Sequence, residues 1–290
     1  MPYRVDNAVI MAAGTSSRFA PLSYEVHKAL ITVRGEVLIE RQIRQLKDAG
    51  IKNVYVITGY KSEQFEYLKN KLDVKLIHNN EYLVRNNNSS IHAAKDILHN
   101  SYICSSDNYF LINPFETIVD DSYYSALYAK GHTDEWCMDE DNEGFISKVV
   151  IGGENKWYML GHAFWSEKFT AKFLSILNDI YNEQATAGLL WESIFMQHLN
   201  ALKMKIRKYP ESSIFEFDTL DELRMFDISY VDDTRSKIIK NISKELSCHE
   251  SDIVNAKAIK HLNEAVGFSF NLGNRKYKYT YSDSSLSEGE

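Results

Sequence analysis

The chain of 290 residues lacks the sequence features of disulfide-rich, zinc-binding, membrane-spanning and secreted proteins. Its three cysteines, Cys104, Cys137 and Cys248, are odd in number and widely spaced. This excludes a disulfide framework and a CxxC zinc site, and it indicates a reducing compartment. No uninterrupted apolar run approaches the roughly 18 residues of a membrane span, and charged residues interrupt the N-terminus before a signal peptide could form. We therefore expect a cytoplasmic protein.

Positive charge and glycine are also scarce. The 33 Lys and Arg residues against 40 Asp and Glu give a net charge of -7, and no dense basic stripe is present, so a nucleic acid is not an expected partner. Residues 11–20 contain one glycine and no GKS or GKT ending follows. The segment is therefore neither a Walker loop nor a dinucleotide fingerprint, which disfavours a P-loop kinase and a nicotinamide dehydrogenase.

The periodicity of the first 111 residues predicts an α/β fold. Apolar, β-rich runs alternate with helical patterns, with strands predicted at 8–13, 53–59, 74–79 and 102–111 and helices at 37–50, 62–72 and 90–98. This alternation predicts a Rossmann-like, mixed but mostly parallel sheet covered by helices on both faces. Ligands bind beyond the carboxyl ends of such strands. We therefore expect a ligand near the loop after residue 13 and near residues 105–108.

The rest of the chain changes in character. From about residue 123 we expect antiparallel strands, then helices around 169–180 and 188–199, and a last helix in "TLDELRMFD". Residues 1–230 are thus predicted to form the main domain. Residues 231–290 are predicted to be a small α+β appendage with a helix, a hairpin turning at 272–274 and an acidic, disordered end.

The segment "MAAGTSSRFAPLSYEVHKAL" at 11–30 is the first candidate site. Its small residues let a backbone approach a ligand and point N–H groups at phosphate oxygens; they are Ala12, Ala13, Gly14, Thr15, Ser16 and Ser17. Arg18 and Lys28 add positive charge suited to a triphosphate. A tight turn between strand and helix, with two solvated surface cations, explains the same spacing equally well.

A longer stretch, "AVIMAAGTSSRFAPLSYEVHKAL", resembles the signature of the sugar-nucleotide pyrophosphorylase-like nucleotidyltransferases. That signature is an apolar strand followed by A-A-G-x-G-x-R-x-x-P-L, a spacer and P-K-A-L. Two positions depart from it. Ser16 stands at the second glycine and must reach the same backbone conformation to present its N–H. His27 replaces the proline before Lys28, which removes a rigid support but no charge.

Within that family the chain is most similar to the bacterial CTP:phosphocholine cytidylyltransferases. The segments "VRNNNSS", "SSDNYF", "TDEW" and "SIFEFDTLDEL" occur in the expected order, and the resemblance covers about residues 6–228. It implies the fold of the nucleotide-diphospho-sugar transferases. It also implies a cytoplasmic enzyme that uses CTP, Mg²⁺ and a small phosphorylated amino alcohol, with no membrane or nucleic-acid partner.

The resemblance implies roles for individual residues. Arg18 would hold the β- and γ-phosphates, and Lys28 would bridge toward the α-phosphate and the acceptor. Asp107 and Asp218 would bind Mg²⁺, whose preferred ligands are carboxylate and phosphate oxygens. Residues placed around the nucleotide are the loop residues Ala12 to Arg18 together with Asn86, Asn87, Ser90 and Ser106.

Simpler interpretations of these residues stay open. Asp107 could form a turn, Asp218 could cap the helix that begins at "TLDEL", and "NNNSS" could be a loop that ends in a helix cap. Asp221 and Asp227 are interpreted as surface charges of that last helix.

Four residues are candidates for binding the acceptor. A choline head group has no N–H donors, so proteins hold it with aromatic faces and a carboxylate. Trp136, Tyr158, Trp191 and Glu192 offer these groups, although aromatic residues of this half could equally be core. A primary ammonium, as in 2-aminoethylphosphonate or phosphoethanolamine, needs hydrogen-bond acceptors instead. Because both tryptophans are present, phosphocholine is the first choice.

Two other functions and the role of the tail also stay open. A hexose-1-phosphate nucleotidyltransferase and a non-catalytic, nucleotide-binding regulatory module share the loop. Residues 235–280 resemble the junction and first strands of a fused choline-kinase-like domain, but kinase motifs are missing and kinase activity is not expected. The tail is interpreted as a remnant of that domain, a shortened form of it, or an arm for a homodimer.

Overall fold

The computed structural model describes residues 2–261 and 264–289. The strands are β1 Tyr3–Arg4, β2 Asn7–Ala12, β3 Thr32–Val33, β4 Glu36–Val37, β5 Val54–Thr58, β6 Lys75–His78, β7 Ser101–Ser105, β8 Asn108–Phe110, β9 Ile118–Val119, β10 Tyr123–Glu140, β11 Ile146–Trp165, β12 Lys205–Lys208, β13 Ile214–Glu216, β14 Ile253–His261, β15 Glu264–Leu272, β16 Arg275–Thr280 and β17 Leu286–Glu288. The helices are α1 Leu22–Glu25, α2 Leu38–Asp48, α3 Tyr67–Leu72, α4 Asn88–Ala93, α5 Glu167–Ile180, α6 Trp191–Gln197, α7 Leu220–Phe226, α8 Ser229–Asp232 and α9 Lys237–Glu245. Within the described ranges, none of the helices combines the length and apolar character that a membrane crossing needs.

The chain folds into two compact units. Unit one contains residues 1–14 and 39–216, and unit two contains residues 15–38 and 217–290. This division differs from the boundary expected near residue 230. The reason is that residues 15–38 make their contacts with the C-terminal part of the chain, so the units follow spatial contacts and not the order of the sequence.

Unit one is built on a seven-stranded sheet with the order β12-β10-β11-β7-β2-β5-β6. The strands β7, β2, β5 and β6 run parallel, with Ile10 of β2 beside Val56 and Cys104. At the other end β12 is parallel to β10, and β11 is antiparallel to both of its neighbours. The predicted Rossmann-like, mixed and mostly parallel sheet is therefore confirmed. The carboxyl ends of β2 and β7 lie side by side, as a ligand site in such a sheet requires.

Two strand predictions need correction. The strand expected at 102–111 is two strands, because the chain turns at Ser106 and Asp107 and β8 leaves the central sheet to pair with β13, Asn108 opposite Glu216. The antiparallel strands expected after residue 123 are two long ones, β10 and β11, which form a single irregular hairpin.

Unit two contains an antiparallel sheet of four strands, in the order β14-β15-β16-β17. The predicted hairpin is present as β15 and β16, with its turn at Gly273, whose φ of 57° is left-handed. The acidic end is not disordered over Leu286–Glu288, since these residues pair with β16, Leu286 opposite Tyr279. The backbone groups along the edge of β16 provide the hydrogen bonds that order this short strand.

Arg224 of α7 joins the helix to the C-terminal strands. Its side chain is buried and its Nη1 donates to the carbonyl of Ile253 at 2.7 Å, while Nη2 donates to that of Glu250 at 2.6 Å. Asp221 accepts from Arg224 at 3.0 Å and from the backbone N–H of Asn255 at 2.7 Å. Asp221, which was interpreted as a surface charge, is therefore a structural link within unit two.

Asp227 has a structural role as well. Its side chain is buried, and it accepts hydrogen bonds from the backbone N–H of Arg34 at 2.7 Å and from the Ser229 hydroxyl at 2.7 Å. The interpretation of Asp227 as a surface charge is wrong, because these donors hold it at the end of α7.

We expect Arg224→Met to lower the free energy of unfolding by about 2 to 4 kcal/mol, because two buried carbonyls lose a charged donor and Asp221 loses its cation. The matched control is Arg275→Met, whose side chain is 69% exposed and pairs with Glu288 at 3.7 Å. The control should change stability by less than about 0.5 kcal/mol. Urea unfolding of the unaltered chain and the two variants measures both changes in the free energy of unfolding. Equally small decreases in the two variants would contradict the structural role of Arg224.

Candidate functional site

The end of β2 sets the base of the small-residue loop in unit one. Ala12 and Ala13 are buried, and the carbonyl of Ala13 accepts the backbone N–H of Tyr60 at 3.0 Å. A Cβ at Gly59 would lie 2.8 Å from that same carbonyl oxygen and 2.7 Å from Cγ of Tyr82. Only glycine allows this approach. The sequence analysis did not single out Gly59, although its place directly after a predicted strand could have indicated it.

Gly14, the next residue of the loop, is different. It is exposed, its φ is not left-handed, and a Cβ built on it would meet no atom of the described residues within 4 Å beyond its chain neighbours. Neither backbone conformation nor packing within the chain requires a glycine here. Gly14 therefore leaves open space above the loop backbone, as the approach of a phosphate would require.

In unit two the loop continues through Ser16. Ser16 has φ 49° and ψ 37°, a left-handed conformation that glycine adopts more readily than other residues. Its carbonyl accepts the N–H of Phe19 at 2.9 Å and so begins the turn Ser17–Phe19. Ser16 thus takes a backbone conformation typical of glycine, and its role in presenting an N–H to phosphate stays a prediction. Ser17 is buried in this turn, whereas the side chain of Arg18 is 76% exposed.

Lys28 is held by a local cap. The Nδ1 of the buried His27 accepts the N–H of Ala29 at 3.1 Å and caps the turn Lys28–Leu30. The loss of the signature proline is thus compensated by a histidine that fixes the turn through its ring. The side chain of Lys28 is only 6% exposed, and its Nζ lies 5.8 Å from the centre of the Phe19 ring.

Asp218 is the counter-charge of both cations in unit two. Its Oδ2 lies 2.5 Å from Nη1 of Arg18, and its Oδ1 lies 3.3 Å from Nζ of Lys28. The alternative that Asp218 caps α7 is wrong, because Thr219 is the cap: its Oγ1 accepts the N–H of Glu222 at 3.2 Å. Glu222 in turn accepts the backbone N–H of Asp218 at 2.7 Å. The Asp218 carboxylate is therefore available to charged groups and not engaged with the helix.

Two carboxylates of unit one lie at the break between β7 and β8. Asp107 is in the turn that joins these strands, and carboxylate oxygens of Asp107 and Glu216 lie within 4.8 Å of each other. Nδ2 of Asn108 donates to Glu216 at 3.4 Å. Paired carboxylates at this spacing are a suitable set of hard oxygen ligands for Mg²⁺. Ser106 shares the turn and is half-buried.

Glu216 was missed by the sequence analysis. It stands two residues before Asp218 in "FEFD", so alternation along a strand was the available signal. That Asp107 forms a turn is correct, and the turn is what brings it beside Glu216.

The residues expected around the nucleotide in "VRNNNSS" divide into two groups. Asn86 is exposed, with Nδ2 donating to the carbonyl of Gly188 at 3.2 Å. Ser90 is buried, and its hydroxyl accepts from Asn79 at 3.3 Å. The Asn87 amide is committed to α6, as described next. Of these side chains, only that of Asn86 faces solvent.

The Asn87 amide fixes the start of α6. Its Oδ1 accepts the backbone N–H of Trp191 at 2.7 Å, and its Nδ2 donates to Oε2 of Glu192 at 3.0 Å. Oε1 of Glu192 accepts from the Tyr124 hydroxyl at 3.4 Å. Burial raises the pKa of the Glu192 carboxyl to about 7, although the hydrogen bonds from Asn87 and Tyr124 favour the ionised form. Glu192 is thus a buried acid that a nearby cation would ionise.

The aromatic candidates differ in exposure. Trp191 is 1% exposed and belongs to the core of unit one, with its ring stacked on Tyr124 at 5.6 Å and edge-on to Trp165 at 5.0 Å. This corrects the expectation that Trp191 presents a face to the acceptor, because neighbouring rings cover it. Trp136 on β10 and Tyr158 on β11 are half-buried. Burial, together with the nearby carboxylate of Glu135, raises the pKa of Tyr158.

Comparisons with known proteins agree with this geometry. The family model for the MobA-like NTP transferase domain matches residues 8–113. A 2-aminoethylphosphonate cytidylyltransferase of Lancefieldella rimae is 36% identical over 231 residues, which is 78% of this chain and 93% of the relative. A choline-phosphate cytidylyltransferase of Streptococcus pneumoniae is 31% identical over 217 residues, 75% of this chain and 95% of the relative.

A solved structure is similar over the same region. The CTP:phosphocholine cytidylyltransferase of Streptococcus pneumoniae superposes with a TM-score of 0.73 and 31% identity, covering 77% of this chain and 97% of that one. The expected fold of the nucleotide-diphospho-sugar transferases is thereby confirmed. The kinase resemblance of the tail stays a prediction, since these matches cover 75–78% of the chain.

The raised pKa of Glu192 predicts a pH-dependent stability. Its carboxyl ionises near 4.5 when unfolded and near 7 when folded. As pH rises through this window the unfolded state loses its proton first, so stability falls, by about 3 kcal/mol at most from this group. Glu192→Gln should therefore gain stability relative to the unaltered chain between pH 5 and pH 8.

Urea unfolding at the two pH values measures this difference. The control is Glu183→Gln, at an exposed position, which should leave the pH dependence unchanged. An identical difference between Glu192→Gln and the unaltered chain at both pH values would show that the carboxyl titrates normally.

Proposed function

The chain belongs to the cytidylyltransferase family that these relatives represent, and on that premise we propose that it transfers CMP from CTP to a small acceptor. The acceptor carries a phosphate or phosphonate at one end and a cationic nitrogen at the other. The observation that carries the proposal is the pair of cations, Arg18 and Lys28, held on one carboxylate beside the signature loop.

The reaction needs no covalent intermediate. A phosphate or phosphonate oxygen of the acceptor attacks the α-phosphorus of CTP, the bond from that phosphorus to the bridging oxygen breaks, and pyrophosphate leaves. The protein positions the groups and stabilises charge on the phosphates. Arg18, whose side chain is 76% exposed, is assigned to the β- and γ-phosphates, and the buried Lys28 to the α-phosphate and the acceptor.

We assign Mg²⁺ to Asp107 and Asp218, as the resemblance implies, and add Glu216. The support in unit one is the close approach of Asp107 and Glu216; the support for Asp218 is that its carboxylate is not used as a helix cap. Bound there, Mg²⁺ would neutralise phosphate charge and orient the leaving group. Arg18 and Lys28 then exchange contacts with Asp218 for contacts with phosphate oxygens.

The loop residues and the "VRNNNSS" turn are assigned to the nucleotide. The N–H groups from Ala12 to Ser17 would cradle phosphates, and Ser106 would lie beside them. Asn86 is exposed; its amide donates to the Gly188 carbonyl and accepts the N–H of Asn87, and its second N–H and second lone pair are the groups assigned to the edge of a pyrimidine. Asn87 and Ser90 are assigned to holding the turn in place, because their side chains are hydrogen-bonded to other residues of unit one.

For the acceptor, we place 2-aminoethylphosphonate ahead of phosphocholine. The choice of phosphocholine depended on two tryptophan faces, and Trp191 is covered by its neighbours. Glu192 offers oxygens that already accept hydrogen bonds from Asn87 and Tyr124, and an acceptor of this kind suits a primary ammonium that can donate hydrogen bonds. Phosphocholine remains the second candidate because Trp136, with Tyr158, still offers aromatic surface to a quaternary ammonium.

Pyrophosphate release tests the function. The purified chain with Mg²⁺ is given CTP, UTP, ATP or dTTP together with 2-aminoethylphosphonate, phosphocholine, phosphoethanolamine or glucose-1-phosphate. We expect release with CTP and an amino acceptor, and a loss of at least about 100-fold in Asp107→Asn, because a metal-binding carboxylate becomes neutral. Asp179→Asn, an exposed position on α5, is the matched control and should retain full activity.

The other outcomes separate the alternatives. Release with glucose-1-phosphate alone would indicate a hexose-1-phosphate nucleotidyltransferase. Binding of CTP without release from any acceptor would indicate a regulatory module. Release with phosphocholine and not with 2-aminoethylphosphonate would keep the chemistry and reverse the order of the two acceptors.

Gly14→Ala separates binding from folding. Because a methyl group at Gly14 meets no described atom within 4 Å, we expect stability to change by less than about 1 kcal/mol. The same methyl group enters the space needed by the phosphates, so CTP affinity should fall about 10-fold or more. Titration calorimetry measures the affinity and urea unfolding the stability.

Gly59→Ala is the contrasting variant. The methyl group of this variant would lie 2.8 Å from the carbonyl oxygen of Ala13. Gly59→Ala should therefore lower the stability of the fold, whereas Gly14→Ala should lower only the affinity for CTP. If Gly14→Ala binds CTP as tightly as the unaltered chain, the loop is an ordinary turn and does not hold the phosphates.

A further inference from the structure

Residues 231–290, here called the tail segment, follow the part of the chain, about residues 6–228, that carries the resemblance to the family. About three quarters of this chain spans 93–97% of the relatives described above. The share of this chain that those relatives leave unmatched is thus about as long as the tail segment. The contacts of the tail segment within unit two indicate its role.

The first contact is at Glu25, between Arg18 and Lys28 in the chain. The hydroxyl of Ser236 and the backbone N–H of Lys237 both donate to the Glu25 carboxylate, the latter at 2.8 Å. One carboxylate thus holds the start of α9 and the end of α1 together.

A second and a third contact involve the neighbouring residues. The ring of Tyr281 stacks on that of Tyr24, with centroids 3.7 Å apart and planes 8° from parallel. Nη1 of Arg235 donates to the carbonyl of Thr32 at 2.8 Å. These contacts flank Lys28 in the sequence on both sides.

The tail segment also reaches the other two charged residues. Strand β14 lies against the turn Ser17–Phe19, which carries Arg18. At its start, β14 is tied to α7, the helix that follows Asp218, through Arg224 and the carbonyl of Ile253. One segment therefore supports every part of unit two that bears Arg18, Lys28 or Asp218.

We propose that the tail segment is a positioning element, which holds the turns that carry Arg18 and Lys28 in place before CTP arrives, so that only the two side chains need to exchange Asp218 for phosphate oxygens. This rests on the proposed function, since CTP is the ligand concerned. Because the turns that carry Arg18 and Lys28 are already ordered, the chain loses less conformational freedom when CTP binds. This lowers the dissociation constant for CTP. Once CTP is bound, its phosphates hold the same residues, so the rate at saturation depends little on the tail segment.

Two variants test the proposal. Tyr281→Ala removes the ring from Tyr24, and Glu25→Ala removes the acceptor of Ser236 and Lys237. In each we expect the dissociation constant and the KM for CTP to rise about 3- to 10-fold, while kcat and the KM for the acceptor change less than about twofold. Titration calorimetry with CTP and Mg²⁺ gives the dissociation constant, and pyrophosphate release gives the kinetic constants.

Matched controls are Tyr281→Phe, which keeps the stacked ring, and Arg275→Met at the exposed edge of the tail sheet. Both should bind CTP like the unaltered chain. An unchanged CTP affinity in folded Tyr281→Ala and Glu25→Ala overturns the proposal, and so does an equal loss in Tyr281→Phe. CTP binding with no pyrophosphate release overturns only the proposed function, whereas failure of the unaltered chain to bind CTP overturns both.

Discussion

The charge balance around Lys28 is the constraint on which unit two depends. Its ammonium is 6% exposed, and a buried ammonium without a counter-charge would cost several kcal/mol. Asp218 supplies the counter-charge and shares it with Arg18, which reaches the same carboxylate from solvent. A polyphosphate that contacts Arg18 and Lys28 must share or replace these contacts. If Arg18 and Lys28 bind phosphate as proposed, the same carboxylate that stabilises the fold would compete with the ligand, and the stability of the ion pairs would limit the affinity for phosphate.

Short-range features of the sequence make this balance possible. Thr219 takes the cap of α7 and Glu222 holds the N–H of Asp218, which leaves the aspartate side chain for the cations. His27 caps the turn that carries Lys28. Each of these is a local hydrogen bond of about 1 kcal/mol. Together these hydrogen bonds make Glu222 a structural acid and leave the Asp218 carboxylate to pair with Arg18 and Lys28. Amino-acid composition alone does not distinguish the two roles.

The sequence was sufficient where the signal is local and periodic. Alternating strands and helices predicted the parallel sheet, and the predicted strand at 8–13 ends, as observed, in a loop directly after β2. The sequence was insufficient where contacts with a distant segment of the chain determine the local structure. "YICSSDNYFL" has the pattern of one continuous strand, and only the pairing of β8 with β13, about one hundred residues away, breaks it at Asp107. The stacking of Tyr24 on Tyr281 and the burial of Trp191 likewise depend on packing that no local pattern encodes.

In the proposed function, the acceptor end of the site depends on the environment of Glu192. Asn87 donates one neutral hydrogen bond to it and Tyr124 another, yet burial keeps its pKa near 7. Neutral donors therefore do not by themselves offset the cost of a buried carboxylate charge. A cation placed beside Glu192 would offset it, because an ion pair in a region of low dielectric is strong. The proposed preference for a cationic acceptor would then have its physical cause in the burial of Glu192, which the "VRNNNSS" turn holds through Asn87.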